Sequence, residues 1–129
     1  MKYAPASSVR SLLRQGRAQI EARVIAADMI SVEEAASMMG EKVVAIRRWI
    51  ALGHCIAVSS PGVGTRMPRW QFSEELLLWI GPIMQALGTK SGWPVLTFLE
   101  TPHGGLEGRT PRTALEQGDV ELVLAVAAI

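Results

Sequence analysis

The stretch Ile30–Phe72, ISVEEAASMMGEKVVAIRRWIALGHCIAVSSPGVGTRMPRWQF, decides how this chain folds. Ser31 and Glu34 have the S-x-x-E spacing of a capping box, in which each side chain satisfies a free backbone N–H of the other. Ala35, Ala36 and Met39 give the first helix a small apolar face, and Gly40 permits a sharp turn after it. A second helix is predicted from about Glu41 to Leu52, with Val43, Ile46, Trp49 and Ile50 apolar and Gly53 just past its end. Two short helices about a glycine turn make a helix-turn-helix. Beyond them, Cys55–Ser59 reads as a short strand, Ser60–Gly64 as turn chemistry and Arg66–Phe72 as a returning strand. Pro68 is expected at an edge or at the start of that strand, because it has no N–H to donate. Trp70 and Phe72 alternate with Gln71, which predicts that both rings pack inward.

On the N-terminal side, residues 1–6 read as a loose lead-in. Ser7 or Ser8 is expected to cap a long helix running to about Asp28. Val9, Leu13, Gly16, Ile20, Val24 and Ala27 line one stripe of it. Arg10, Arg14, Arg17 and Glu21 line a neighbouring polar stripe, with Arg17 and Glu21 at i,i+4 spacing. Such a helix is expected to pack on the domain's own core, with dimerisation the alternative that the length of the stripe suggests.

On the C-terminal side, Ser73 is expected to cap a helix with Glu74 and Glu75 in its first turn. Leu76–Ile80 is apolar all round, as in a helix buried on most sides. Pro82 either kinks that helix or starts a new segment. After a Gly88–Gly92 loop come a short helix with Trp93, Val95, Leu96, Phe98 and Leu99, and a turn-rich connector. A helix from Pro111 to about Gln117 follows, with proline at its favoured first position. Gly118 ends it, Asp119 can cap the next, and Val120–Ala128 makes an apolar terminal helix.

The whole chain sets further bounds. Its 129 residues hold one domain or two very small ones, and 49% hydrophobic content predicts a folded core. The single cysteine, Cys55, allows no intramolecular disulfide and suits a reducing compartment. Met1 leads into no apolar segment, and the apolar run Leu76–Met84 is too short to span a bilayer, so a cytoplasmic protein is expected. Net charge is only +1, yet residues 1–72 carry ten Lys/Arg against five Asp/Glu, and 73–129 carry three against seven. A polyanion would therefore bind the first part. His54 and His103 lie far apart and no second pair accompanies His54-Cys55, so no metal site is expected. There is no nucleophile elbow, Gly-rich phosphate loop or paired carboxylate set, so neither catalysis nor a cofactor is expected. His103, in the loop Thr101–Gly105, reads as a surface residue.

Two resemblances follow from these residues. Glu34, Ala35, Ala36, Gly40, Ile46, Arg47, Arg48, Trp49, Ile50 and Gly53 match the helix-turn-helix pattern of excisionase-like and MerR-like regulators. In that family the second helix enters the major groove and the hairpin, or wing, reaches the backbone or minor groove. The resemblance implies double-stranded DNA contacts by Lys42, Val43, Arg47, Arg48, Arg66 and Arg69. The pattern's Val-Ser at the start of the second helix is Glu41-Lys42 here and its Thr is Ala45, which removes the N-cap hydroxyl and one polar groove contact. Val43 and Val44 offer only apolar contacts, as to a thymine methyl.

Residues 91–128 resemble the toxin-binding domain of Xre/MbcA/ParS antitoxins, which pair with RES-domain toxins. Trp93, Pro102, Leu106, Gly108, Thr110, Pro111, Leu115, Gly118 and Val123 match its pattern. The resemblance implies partner contacts by Trp93, Leu106, Thr110, Pro111, Leu115, Val123 and Val126.

The expected architecture is mostly α. It has a long N-terminal helix at 1–29, suited to dimerisation, then a winged (MerR-like) helix-turn-helix with a small β-hairpin at 30–72. A helical, antitoxin-like partner-binding domain occupies 73–129. The expected function is a homodimeric prokaryotic regulator that binds operator DNA and a protein partner such as a RES-like toxin, without chemistry of its own. The alternative is a protein–protein adaptor or inhibitor that keeps the helix-turn-helix fold without reading DNA.

Overall fold

The computed structural model describes residues 6–129, so the expected lead-in lies outside it except for Ala6. The described chain is mostly helical with a small antiparallel sheet. The elements run α1 (Ala6–Val24), β1 (Met29–Ile30), α2 (Val32–Met39), α3 (Val43–Ala51), β2 (Val58–Ser60) and β3 (Gly64–Pro68). Then come α4 (Leu77–Leu87), α5 (Gly92–Glu100), α6 (Pro111–Glu116) and α7 (Val120–Ala127). Tight 3-10 turns at Arg69–Phe72 and Gly104–Leu106 connect β3 to α4 and α5 to α6.

The capping box at the head of α2 forms as its spacing predicts. The Ser31 hydroxyl accepts from the Glu34 N–H at 3.0 Å, and the Glu34 carboxylate accepts from the Ser31 N–H at 3.0 Å. Gly40 closes α2 in the left-handed region at φ 65°, which a residue with a Cβ adopts only under strain. Thr110 caps α6 by accepting from the Thr113 N–H at 3.1 Å, with Pro111 opening the helix.

Elsewhere the structure departs from the pattern. α1 ends at Val24 rather than near Asp28, and Ser7 and Ser8 lie inside it rather than ahead of it. The segment after α1 instead supplies β1, which pairs Met29 with Pro68 and Ile30 with Met67. β2 joins the other side, with Val58 opposite Arg66, so β3 is the central strand. Pro68 ends that strand, and the N–H it lacks is replaced by that of Arg69, which donates to the Asp28 carbonyl at 2.8 Å.

The returning strand stops there, and 69–72 coil into a 3-10 turn. The alternation read from Trp70-Gln71-Phe72 is thereby inverted. Gln71 is fully buried, while Trp70 and Phe72 are half-buried. The Gln71 amide donates to the Ile56 and Pro68 carbonyls at 2.9 and 3.1 Å, and its oxygen accepts from the Ile56 N–H at 2.6 Å. It stands in for a strand partner that the turn removes, as a buried amide must.

Ser73 does not cap α4: the helix begins at Leu77 with Leu76 at its N-cap and no side-chain capping hydrogen bond, and only the Ser73 carbonyl is used, accepting from Leu76 and Leu77 in the turn ahead of it. The helix runs on through Pro82 without starting a new segment. Its first turn is not buried all round, since Leu78 is 77% exposed. Asp119 makes no side-chain cap on α7 and is instead held by Arg109 at 2.6 Å.

Two apolar cores result. The smaller gathers Ile30, Val32, Ala35, Ala36, Ile46, Cys55 and Met67 from α2, α3 and the sheet. The larger is built from α4 to α7, with Ile80, Ile83, Leu96, Leu99, Leu106, Leu115 and Val123 fully or almost fully buried, and it takes in Val24, Ile56 and Val58 from the first half of the chain. A polar bracket fixes the end of α1 to this body. Arg23 donates to Asp28 at 2.8 and 2.9 Å and to Glu100 at 3.0 and 2.8 Å, and Trp70 Nε1 donates to Asp28 at 3.0 Å.

Candidate nucleic-acid interface

α3 is amphipathic, and its two faces separate the candidate residues. Ile46 is fully buried, with Val43, Trp49 and Ile50 packed against the smaller core. The outer face carries Val44, Arg47, Arg48 and Ala51, at i, i+3, i+4 and i+7, all exposed. Val43 therefore belongs to the packing face rather than the accessible one, a correction to the expected contact set. Val44, 67% exposed, is the apolar side chain that stands among the basic ones.

Lys42 is exposed and occupies the N-cap of α3, where its side chain makes no capping hydrogen bond. This is the expected consequence of replacing a hydroxyl residue there. Among the described residues, Lys42, Arg47, Arg48, Arg66 and Arg69 make no ion pair within hydrogen-bonding distance. Among the described residues, close pairing does not neutralise their charges.

The hairpin arginines sit beside α2. Arg66 is half-buried, its guanidinium donating to the Thr65 carbonyl at 2.9 Å, and Arg69 is exposed at the start of the 3-10 turn. Glu34 senses both. The Ser31 backbone N–H, and then its hydroxyl, hold the Glu34 carboxyl below the usual range, with Arg69 and Arg66 adding to the effect. The hairpin turn itself, Pro61-Gly62-Val63, carries no charge. Positive charge thus lies along the base of the hairpin, not at its tip.

The residues expected to meet a protein partner fare differently. Leu106, Leu115 and Val123 are buried in the larger core and Pro111 is buried at the head of α6, so no partner reaches them without opening the fold. They form the pattern because the helices need them, which is why the motif is legible in sequence. Trp93, Thr110 and Val126 are half-buried and keep some surface. His103 is not a free surface residue, since its ring lies 5.1 Å from that of Phe98.

A feature the sequence reading missed is an apolar groove of about 810 Å³ between the end of α3 and one side of α4, running from Leu77 to Lys90 just past that helix. Trp49, Leu52, His54, Leu77, Leu78 and Lys90 are among its lining residues. Leu52 and Leu78 are 53% and 77% exposed. The only signal in the sequence was the unbroken apolar run at Leu76–Ile80, which covers more of a helix than one core needs. Cys55 also borders the groove but is buried, and burial pushes its thiol up to about 11, leaving it protonated at neutral pH.

Among the described residues no three His, Cys, Asp or Glu side chains gather to hold a metal ion, and no helix is long and apolar enough to cross a membrane. No family model, no curated protein and no solved structure matches the chain.

Proposed function

We propose that residues 30–72 act as a winged (MerR-like) helix-turn-helix that binds double-stranded DNA. In this reading the C-terminal half engages a protein partner, which makes the protein a regulator of the antitoxin type. The observation that carries the DNA reading is the outer face of α3. Arg47 and Arg48 stand exposed there, free of ion pairs among the described residues and beside exposed Lys42 and Val44. Guanidinium groups so placed suit phosphate oxygens, and Arg66 and Arg69 extend the same chemistry to the hairpin. With the N-cap hydroxyl absent, the module supplies affinity more than sequence discrimination.

Salt dependence tests it. Five phosphate contacts give a slope of about −4 to −5 for log K against log salt on duplex DNA. Arg47→Ala with Arg48→Ala lowers that slope by about 2 and weakens binding on every sequence to a similar degree. Binding that ignores the double substitution, or no binding at low salt, ends the DNA reading.

A second reading is favoured by the groove between α3 and α4. An adaptor or inhibitor would seat an apolar segment of its partner against Trp49, Leu52 and Leu78. The partner itself, such as a RES-like toxin, is tested by co-purification with the product of a neighbouring gene. Leu78→Asp abolishes capture if the groove is the docking site, and Arg47→Ala with Arg48→Ala leaves capture intact.

A further inference from the structure

The wall that α4 gives to the groove changes character along the helix. Leu77 and Leu78 line it at the start, Gly81 and Pro82 in the middle, and Gln85, Thr89 and Lys90 toward and just past the end. The rise from Leu78 to Gly88 is about 15 Å. Gly81 leaves room that His54 takes up, with Nδ1 3.3 Å from where a Cβ would stand. The Lys90 stem lies across Gly53, its Cγ 3.0 Å from the equivalent position there. The ammonium is thus carried on a stem packed against the lining rather than swinging free from the loop.

We propose that this groove binds a small amphipathic carboxylate, an aliphatic chain of medium length whose acid head meets Lys90. Size is the first reason. A volume of about 810 Å³, mainly apolar with a few convergent polar groups, is that of a small-molecule site. Charge is the second. Among the described residues that line the groove none is acidic, and Lys90 makes no ion pair among the described residues. The third is a free donor at the same end. The Thr89 hydroxyl oxygen accepts from the Ser91 N–H at 3.0 Å, which leaves its own hydrogen to donate.

The C-terminal end of α4 carries partial negative charge, which opposes an anion. Two of its carbonyls are already taken, those of Gln85 and Met84 accepting from the Gly88 and Thr89 N–H groups at 3.1 Å. Lys90 then sets a full positive charge against what remains. The adaptor reading seats an apolar protein segment in the same groove. The carboxylate goes beyond it, because the polar end asks for a head group that an apolar segment does not supply. Neither Arg47 nor Arg48 takes part, so this inference does not rest on DNA binding by α3.

Titration of the chain with octanoate, octanol and octylammonium tests it, read by calorimetry and by the NMR shifts of glycine amides. Octanoate should bind with a Kd on the order of 0.1 mM, fitting a ligand of about ten non-hydrogen atoms. Octanol should bind about tenfold more weakly, for want of the charged head, and octylammonium not at all. The amides of Gly53, Gly81 and Gly88 should shift while those of Gly16 and Gly118 stay. Lys90→Met keeps the stem, and should bring octanoate down to the affinity of octanol while leaving octanol unchanged. Leu78→Asp should abolish both with the thermal transition retained, because Leu78 is 77% exposed. No octanoate binding, octanol binding as tight as octanoate, or indifference to Lys90→Met overturns the proposal. Capture of a neighbouring gene's product that depends on Leu78, with no octanoate binding, also overturns it and leaves the adaptor reading standing.

Discussion

β2 and β3 are joined by only Pro61-Gly62-Val63, yet they feed different cores. Val58 of β2 enters the larger core, whereas Met67 of β3, opposite Ile30, enters the smaller one. Strand alternation explains this, since Val58 faces Arg66 in register and Met67 points to the other side of the sheet. The sheet is therefore a wall between two apolar clusters rather than an appendage of one. Traffic runs both ways across it, for Val24 and Ile56 join the helices of the second half and Leu77 packs on the first. The composition break near residue 72 marks a change in charge, not a gap in packing.

The wall between the clusters is most sensitive at Gly92. A Cβ there would collide with the Ala57 carbonyl oxygen and lie 2.8 Å from its carbon, so the head of α5 rests directly on the backbone leading into β2. Gly92→Ala should cost about 4 kcal/mol or more, placing it in the steric tail of single substitutions. Urea unfolding reads this, and a change below about 1 kcal/mol would show that the contact is loose.

Next come the cores themselves. Ile46→Ala in the smaller core and Leu99→Ala in the larger should each cost about 3 kcal/mol. If the sheet couples the two clusters, both variants unfold in one transition seen equally by fluorescence and circular dichroism. A biphasic melt for Ile46→Ala alone would separate the cores into independent units.

Gln71→Leu probes the point where the chain leaves the sheet. Both backbone polar groups of Ile56 lose their partner, at an expected cost of about 2 kcal/mol. Hydrogen exchange should show the Ile56 N–H losing protection before the amides of α6 and α7.

The smallest effect lies at the bracket on α1. Burial pushes the Asp28 carboxyl up, but the Arg23 guanidinium and the Trp70 N–H together hold it below its ordinary value. A depressed carboxylate contributes stability that is present above its unfolded pKa and is lost as pH falls through the folded one. The wild type should thus lose a few tenths to about 1 kcal/mol relative to Asp28→Asn below about pH 4, a pair this exposed being partly screened. Parallel melts of the two proteins at pH 7 and pH 3 check the sign.

Much of the local structure was legible because it depends on neighbours in sequence. The Ser31–Glu34 box, the Gly40 turn, the Thr110-Pro111 start of α6 and the inner face of α3 each follow from spacing within a few residues. The candidate interface was legible to the same extent. Lys42, Arg47, Arg48 and Arg69 are exposed and Arg66 partly so, but of the two valines offered to the groove only Val44 faces out, because helical phase, not composition, decides between adjacent residues. The partner motif misled for a related reason. Leu106, Leu115 and Val123 recur at fixed spacing because the core needs them, and burial then withholds them from any partner.

The chain by itself determined that there would be short capped helices, a glycine turn, an arginine-bearing second helix and a basic first half, since these rest on backbone conformation and charge. Tertiary structure alone decided that Asp28-Met29-Ile30 leaves helix to pair with β3, that Gln71 rather than its aromatic neighbours goes inside, and that α1 reaches a core only through Val24 at its end. Each of those outcomes depends on a partner distant in sequence. A strand needs the other strand, a buried amide needs the Ile56 backbone, and an apolar stripe is covered only if some surface reaches it.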